Sequence, residues 1–396
     1  MKVLISFLGK SSRSDGRYRE TRYRFDDGDE LHTAYFGMAL AKKLQPDRLV
    51  LLGTRGSMWD VLFEDLGEEH ECSEERLALI DEVSNQCVCQ ERLDRLAPLL
   101  ERHVGVRCLP RIIPFGRDGR EQTEILSILA ADIAADEVVS LDLTHGLRHL
   151  PMLGLLSALY LRTVKRARID GLYYGAMEMR DDREVAPVVR LDGLLQLADW
   201  IGAVDRYDQS GDYGVFAPLL GDEGSNRSIA SLRRAAFYER ASNVAQAQEQ
   251  INTFNGWFER ETDLSPAARL FREALKERIN WASGRDRADC ERQLAWDYLK
   301  RRDYPRATMF GFEALISDAC HQRALDNTAY RDRDKAKNWM LTNLDRFKHL
   351  KDVRNALAHG VRSEDAKVAQ TLASEESLQR TLEELFNELL GSRSRP

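Results

Sequence analysis

Apolar residues in the first half of the chain follow two alternating patterns. Short apolar runs typical of buried β-strands occur at 2–8, 47–54, 106–115 and 137–144. Between them, apolar residues recur at helical spacing over 29–44, 74–103, 120–135 and 147–164. Two further strand-like runs, 167–177 and 183–192, predict a closing hairpin. Strands separated by helices of this length predict an α/β domain with a parallel, doubly wound sheet.

The pattern changes after residue 204. Residues 205–228 are rich in Gly, Asp and Ser and are predicted to be a linker. Beyond them every apolar segment has helical period. These segments are 229–261, 265–283, 286–302, 304–325, 333–358 and 364–390. The sequence therefore predicts an α/β domain at 1–204 and an all-α domain at 229–396.

Composition narrows the functional classes. Apolar residues make up 43% and charged residues 31%, which is typical of soluble globular proteins. No apolar run approaches the roughly 20 residues of a membrane span, so no membrane partner is expected. The six cysteines are scattered without a C-x-x-C pair, which disfavours a zinc ribbon or a disulfide framework and indicates the cytoplasm. The net charge of −7 leaves only a local basic patch for any contact with RNA.

Glycine, hydroxyl and basic residues follow several of the predicted strands. Open α/β sheets bind ligands beyond the carboxyl ends of their strands, and glycine lets a backbone approach a ligand closely. The pattern predicts a site for a phosphorylated ligand, although the same residues also make ordinary turns. The candidate residues are Gly9, Lys10, Ser11, Ser12, Thr54, Arg55, Thr144, His145, Gly146 and Arg148.

Other nucleotide and metal sites are not indicated. No G-x-G-x-x-G follows the first strand and no P-loop motif is present. His145 and His149 have the i,i+4 spacing of a metal pair, but no third ligand has a recognisable spacing. We therefore predict no metal and no cofactor. The segment 9–29 carries five arginines and fits either a mobile lid or a β-hairpin at the sheet edge.

The stretch RNALAHG places Arg354, Asn355 and His359 at the end of a helical segment, and Gly360 is a typical helix terminator. Asn355 and His359 share one helix face. The ordinary interpretation is a solvated helix end whose histidine is favoured by the helix dipole. The basic residues that flank the motif fit an RNA-binding face or a solvated helix face. They are Arg346, Lys348, His349, Lys351 and Arg362.

These residue types suit metal-independent RNA cleavage. Attack of a 2′-OH on the adjacent phosphate needs proton transfer near neutral pH, which histidine supplies. It also needs a cation beside the developing phosphorane charge, which arginine supplies. Asn355 could orient His359 or hold a phosphate oxygen.

The run Asp142-Leu143-Thr144-His145-Gly146 resembles the signature of CRISPR-associated DxTHG-motif proteins. The stretches KVLISFLGK, YRETRYRF and LVLLGTRGSMWD are similar to the N-terminal half of the same family. The resemblance implies a Rossmann-like CARF domain that senses cyclic oligoadenylate, followed by a HEPN ribonuclease domain. The HEPN motif, R-x4–6-H, corresponds here to Arg354 and His359.

The resemblance further implies how the two halves act. We expect a cyclic-oligoadenylate-activated endoribonuclease of type III CRISPR defence that cuts single-stranded RNA. Cyclic tetra-adenylate is the expected allosteric activator, bound across a homodimer or higher homo-oligomer. Arg354, Asn355 and His359 are the expected catalytic residues, paired with those of a second protomer. Two alternatives stay open: a sensor that does not cut, and a CARF domain that cleaves its own ligand through Lys10, Ser11 or Thr144.

Overall fold

The computed structural model describes residues 1–11, 13–14, 17–64, 73–360 and 364–391. The chain divides into two compact units, Met1–Leu195 and Gln196–Pro396. The first is a mixed α/β unit and the second is helical, which confirms the broad class predicted for each half. Among the described residues, no helix is both long enough and apolar enough to span a membrane.

The described residues of the first unit contain ten strands, of which eight form one mixed sheet and the other two form a separate pair. The strands, numbered in chain order, are β1 Lys2–Leu8, β2 Arg13–Ser14, β3 Arg17–Tyr18, β4 Thr21–Arg24, β5 Glu30–Thr33, β6 Arg48–Gly53, β7 Arg107–Ile112, β8 Val138–Asp142, β9 Arg168–Gly175 and β10 Val185–Arg190. The sheet order is β5-β4-β10-β9-β8-β1-β6-β7. The strands from β9 to β7 are parallel, whereas β10 is antiparallel to β9, as the predicted hairpin requires. The strands that are separated by helices are parallel, as predicted, but the complete sheet is mixed because β10 runs antiparallel to β9.

Helices cover both faces of this sheet. They are α1 Phe36–Leu44, α2 Ser73–Ser84, α3 Gln90–Val104, α4 Gly119–Ala131 and α5 Leu150–Thr163. Side chains of β1 alternate between two cores, because successive residues of a strand point to opposite faces. Leu4 and Leu8 pack with the first three helices, and Val3, Ile5 and Phe7 pack with α4 and α5. The doubly wound arrangement is thus present.

Two local expectations have clear outcomes. The single helix predicted over 74–103 is wrong, because α2 ends at Ser84 and Gln86 adopts a positive φ of 55° that breaks the helix. Within 9–29 the structure has strands, as the hairpin alternative requires. The strand β2 pairs with β3, and β4 pairs with both β10 and β5 at the sheet edge.

The second unit contains helices throughout its described residues. They are α6 Asp192–Ser210, which begins in the first unit, α7 Ala217–Leu220, α8 Arg227–Arg240, α9 Val244–Phe258, α10 Pro266–Leu270, α11 Arg272–Ile279, α12 Arg287–Lys300, α13 Tyr304–Gln322, α14 Tyr330–Asn343, α15 Asp345–His359, α16 Ala366–Thr371 and α17 Glu375–Leu389. The core joins residues from α8, α9, α12, α13, α15 and α17.

The segment 205–228, predicted to be a linker, belongs to this helical unit. The helix α6 continues through its first residues to Ser210. Tyr213 and Phe216 then pack into the core, with at most 1% of their surface exposed. Asp212 accepts a hydrogen bond from the backbone of Gly214 and so begins a short 3-10 helix. The Gly, Asp and Ser residues that suggested a linker supply turns and caps between buried aromatic residues.

A buried carboxyl group lies within this core. Glu239, on α8, is 3% exposed and accepts a hydrogen bond from the hydroxyl of Tyr298 on α12. Arg306 donates to the same hydroxyl at 3.0 Å. Burial removes water from the carboxylate and raises the pKa of Glu239 to about 7.

We expect the substitution Glu239→Gln to flatten the pH dependence of stability. The folded-state pKa lies above the ordinary value of 4.5. The protonated form therefore stabilises the fold at low pH, and this contribution disappears as the pH rises through the folded-state value. From about pH 5 to about pH 8, the wild type should lose about 2 kcal/mol of unfolding free energy relative to Glu239→Gln. Denaturant unfolding at both pH values measures this.

Glu249→Gln is the matched control, because Glu249 is exposed on the neighbouring helix α9. Equal pH dependence of the wild type and Glu239→Gln would contradict the assignment.

Candidate functional site

Three central strands end at the same edge of the sheet. The parallel strands β6, β1 and β8 are neighbours and end at Gly53, Leu8 and Asp142. From β1 the chain builds outward to β6 and β7 on one side and later to β8 and β9 on the other. The topological switch point therefore lies between β1 and β8, where open α/β sheets form their ligand crevice.

The loops that follow these strands contact one another closely. A Cβ atom on Gly9 would lie 2.7 Å from the backbone nitrogen of Gly146, so only glycine fits this approach. The carbonyl oxygen of Gly9 accepts a hydrogen bond from the backbone of Met58 at 2.8 Å. The hydroxyl of Ser57 donates to the carbonyl oxygen of Leu8, also at 2.8 Å. Three of the predicted ligand loops thus meet at the switch point.

A buried carboxylate lies beneath this meeting point. Asp142 is fully buried, and burial raises its pKa to about 6. Its oxygens accept hydrogen bonds from the hydroxyl of Ser6 at 2.5 Å and from the backbone of Thr144 at 2.9 Å. The hydroxyl of Tyr35 lies 2.5 Å from that of Ser6. Because Ser6 gives its proton to the ionised carboxylate, Tyr35 donates to Ser6.

His145 is fixed by a backbone group. Its Nε2 accepts a hydrogen bond at 3.1 Å from the N–H of Phe36, the first residue of α1. Nε2 therefore carries no proton, and Nδ1 carries the proton of the neutral ring. Burial lowers the pKa of His145 to about 4, which keeps the ring neutral near pH 7. The adjacent Thr144 hydroxyl accepts from the backbone of Gly175 at 2.8 Å, and the Thr144 side chain also hydrogen-bonds to the Asp142 carboxylate.

His149 does not join His145 in a metal pair. Its Nε2 lies 2.8 Å from the carbonyl oxygen of Phe115, to which it donates. Each ring is thus occupied by a different backbone group. No group of three or more His, Cys, Asp or Glu side chains suited to a metal occurs in the part of the chain that the structure describes.

The remaining candidates differ in exposure. Lys10, Arg55 and Arg148 are exposed and form no ion pair with any described residue. Thr54 is buried and shapes its loop, because its carbonyl oxygen accepts from the Trp59 indole at 2.9 Å. Ser11 is half-buried, and Ser12 lies outside the described residues.

The RNALAHG motif occupies the end of α15. The helix ends at His359, and Gly360 adopts a φ of 61° and donates to the carbonyl oxygen of Ala356 at 3.0 Å. His359 is exposed, and its ring makes no hydrogen bond to any described residue. The helix buries its opposite face through Phe347, Leu350 and Val353, among others.

Arg354 is held by neutral groups. Its Nη2 and Nε donate to Oδ1 of Asn355 at 2.7 and 3.2 Å. The guanidinium lies 4.4 Å over the ring of Phe312, which stacks on Phe347 with ring centroids 4.7 Å apart. Asn355 therefore positions Arg354, and of its two suggested roles the orientation of His359 has no hydrogen bond among the described residues to support it.

Two of the five flanking basic residues are already paired with carboxylates. Arg346 forms an ion pair with Glu388 and Lys351 with Asp352. His349 is buried, and burial lowers its pKa. Lys348 is exposed without an ion pair among the described residues, and Arg362 lies outside them. The local basic face is thus smaller than the sequence indicates.

Sequence reasoning missed Ser6, Tyr35, Ser57 and the role of Phe312. Ser6 did give a signal, since it is a polar residue inside the apolar run of β1. Buried polar side chains need partners, so a serine in such a strand points to a polar neighbour. Phe312 lies on α13, and one face of its ring supports the motif arginine.

We expect Gly9→Ala to destabilise the first unit. The new methyl group would meet the backbone of Gly146, which cannot move without shifting the loop after β8. The unfolding free energy should fall by about 1–3 kcal/mol, the usual cost of overpacking. Denaturant unfolding measures it, with Gly119→Ala as the control because its Cβ would enter open space at the start of α4. Equal stability of the two variants would contradict the close loop contact.

Two comparisons with known proteins fit this geometry. Residues 3–178 match the family model described as "CRISPR system endoribonuclease Csx1, CARF domain". The chain is also similar to CRISPR-associated protein MJ1674 of Methanocaldococcus jannaschii, with 22% identity over 400 residues. That alignment covers 91% of this chain and 62% of the relative, so the chain spans less than two-thirds of the relative's length. Together, the two matches support a CRISPR-associated protein with an N-terminal CARF domain.

Proposed function

We propose that this protein is a cyclic-oligoadenylate-activated, metal-independent endoribonuclease of type III CRISPR defence. The observation that carries the nuclease assignment is the end of α15, where a fixed guanidinium and an exposed imidazole lie five residues apart on one helix. The match of residues 3–178 to the CARF domain of Csx1 supports the sensor assignment.

The loops at the switch point suit a ring of nucleotides. Gly9 and Gly146 let the ligand approach the backbone, while Lys10 and Arg148 provide exposed cations for its phosphates. The neutral ring of His145 retains a proton on Nδ1 to donate, because its Nε2 accepts from the backbone of Phe36. Cyclic tetra-adenylate has two-fold symmetry, so it would bind where two such loops face each other across a dimer axis.

An apolar surface beside these loops supports a homodimer. Leu147, Met152 and Leu156 are 41%, 71% and 59% exposed, and they lie on the loop after β8 and the first turns of α5. Clustered exposed apolar side chains commonly mark interaction sites. A second protomer packed here would bring the two copies of the Thr144–Gly146 loop near one another.

In the proposed reaction, an RNA 2′-OH attacks the adjacent phosphorus and the bond to the 5′-oxygen breaks. One His359 accepts the 2′-OH proton, and the His359 of the partner subunit protonates the departing 5′-oxygen. Arg354 stabilises the charge on the non-bridging oxygens, because Phe312 and Asn355 fix its guanidinium without neutralising it. The products are a 2′,3′-cyclic phosphate and a 5′-OH.

We expect RNA cleavage in EDTA to depend on both the ligand and the motif. A fluorophore–quencher RNA is incubated with the full chain, with or without cyclic tetra-adenylate. The ligand should switch on cleavage in the wild type, and His359→Ala or Arg354→Ala should lower the rate by about 10²-fold or more. The control His321→Ala, which alters an exposed histidine on α13, should cut like the wild type.

Cleavage that His359→Ala retains would overturn the catalytic assignment. Ligand binding without cleavage, for every ring size tested, would favour the sensor that does not cut.

We expect Lys10→Ala to weaken binding of cyclic tetra-adenylate about tenfold, because a hydrogen bond to a charged group contributes about 1.5–3 kcal/mol. Titration calorimetry measures the affinity. Lys42→Ala is the control, since Lys42 is exposed in the last turn of α1, at the opposite end of that helix from His145. Equal affinities would remove Lys10 from the site.

A separate experiment tests whether the CARF domain cleaves its own ligand. Cyclic tetra-adenylate is incubated with the protein, and chromatography then detects any linear oligoadenylate product.

A further inference from the structure

A chain of buried polar groups links helix α1 to the predicted ligand loop, and the proposed binding contacts do not use it. The hydroxyl of Tyr35 donates to Ser6, Ser6 donates to Asp142, and Asp142 accepts from the backbone of Thr144. Ser6 and Asp142 are 0% exposed and Tyr35 is 1% exposed. This hydrogen-bonded chain, Tyr35–Ser6–Asp142, is therefore shielded from water along its whole length.

The same short segment reaches the loop by a second route. Tyr35 directly precedes α1, and the N–H of Phe36 donates to Nε2 of His145. The rings of Tyr35 and His145 also lie against each other, with centroids 5.4 Å apart. The side chain of one residue and the backbone of the next thus hold neighbouring residues of the loop, Thr144 and His145.

Close packing leaves Tyr35 little freedom to move. A Cβ atom on Gly37 would lie 2.6 Å from the hydroxyl oxygen of Tyr35 and would also meet the hydroxyl of Ser6. The first turn of α1 therefore presses directly on the polar chain, and glycine is the residue that permits this contact. The position of Tyr35 is determined by the fold before any ligand arrives.

We propose that Tyr35 is a positioning residue of the ligand site. Through Ser6 and Asp142 it fixes the backbone of Thr144, and its ring packs against His145, whose tautomer is set by the neighbouring N–H of Phe36. The loop consequently presents its donors in a single arrangement. In taking cyclic oligoadenylate as the ligand, this inference rests on the proposed function.

The physical basis is preorganisation. Removing the Tyr35 hydroxyl leaves the buried Ser6 oxygen without its donor, and Ser6 then holds Asp142 less firmly. The loop would spend part of its time in other arrangements, and the apparent affinity falls by the fraction of time that it is competent to bind. A ligand at high concentration would still select the competent arrangement.

The test compares Tyr35→Phe with Tyr23→Phe in the full chain. Tyr23 is another buried tyrosine of the same core, on β4, and its hydroxyl donates to neither Ser6 nor Asp142. Ser6→Ala breaks the chain at its next member and serves as the second variant. The readouts are the affinity for cyclic tetra-adenylate, the ligand concentration for half-maximal RNA cleavage, and amide hydrogen exchange at Thr144 and Phe36 without ligand.

We expect Tyr35→Phe and Ser6→Ala to weaken ligand binding about tenfold and to raise the half-activating concentration by the same factor. The maximal cleavage rate at saturating ligand should be unchanged, which general destabilisation of the fold would not produce. Exchange at Thr144 should become faster in both variants. Tyr23→Phe should match the wild type in all three measurements.

Equal affinity and equal Thr144 exchange for the two phenylalanine variants would overturn the inference. So would a lower maximal rate with unchanged affinity. If the wild type bound no adenylate ring, the proposed ligand would be wrong, and hydrogen exchange would still decide whether Tyr35 positions the loop.

Discussion

The first unit depends on how hydrogen bonds stabilise one buried carboxylate that has no cationic partner among the residues that the structure describes. Asp142 ends a central strand, is fully buried, and has a raised pKa. An ionised group in such a place is tolerated only when hydrogen bonds replace the water that it has lost. Ser6 and the backbone of Thr144 supply those bonds, so the loop after β8 must begin where its amide can reach the carboxylate. The geometry of the candidate ligand site follows from this requirement.

The motif arginine in the second unit is held by a different principle. Two of the four cationic residues on α15, Arg346 and Lys351, face carboxylates, which neutralise them. Arg354 instead rests on an aromatic ring and on an amide oxygen, neither of which carries a charge. Such partners restrain the guanidinium but leave its full charge available to a phosphate. A surface ion pair would have given similar order and removed that charge.

Sequence patterns predicted the features that depend on local periodicity. The strands at 2–8 and 137–144, the final hairpin and the helix that ends at His359 all follow from them. Sequence patterns did not predict contacts between residues that are far apart in the chain. Tyr35 meets Ser6 across 29 residues and, through Ser6, reaches Asp142, and no spacing rule connects them. The segment 205–228 was misread because its glycines and aspartates outnumber the aromatic residues that anchor it.

The two candidate sites differ in how many of the groups that they need come from a single protomer. Buried contacts within a single unit fix the hydrogen-bonding groups of the loop after β8, so the loop has its shape without a bound ligand. The end of α15 offers one guanidinium and one exposed imidazole, whereas in-line cleavage uses both a base and an acid. Activity would then require a second copy in register. A ligand can impose that register only by binding the active pairing more tightly than the inactive one. A rigid ligand loop favours such discrimination. If the loop adapted to either pairing of the protomers, the ligand would bind both pairings with equal affinity and would not change the equilibrium between them.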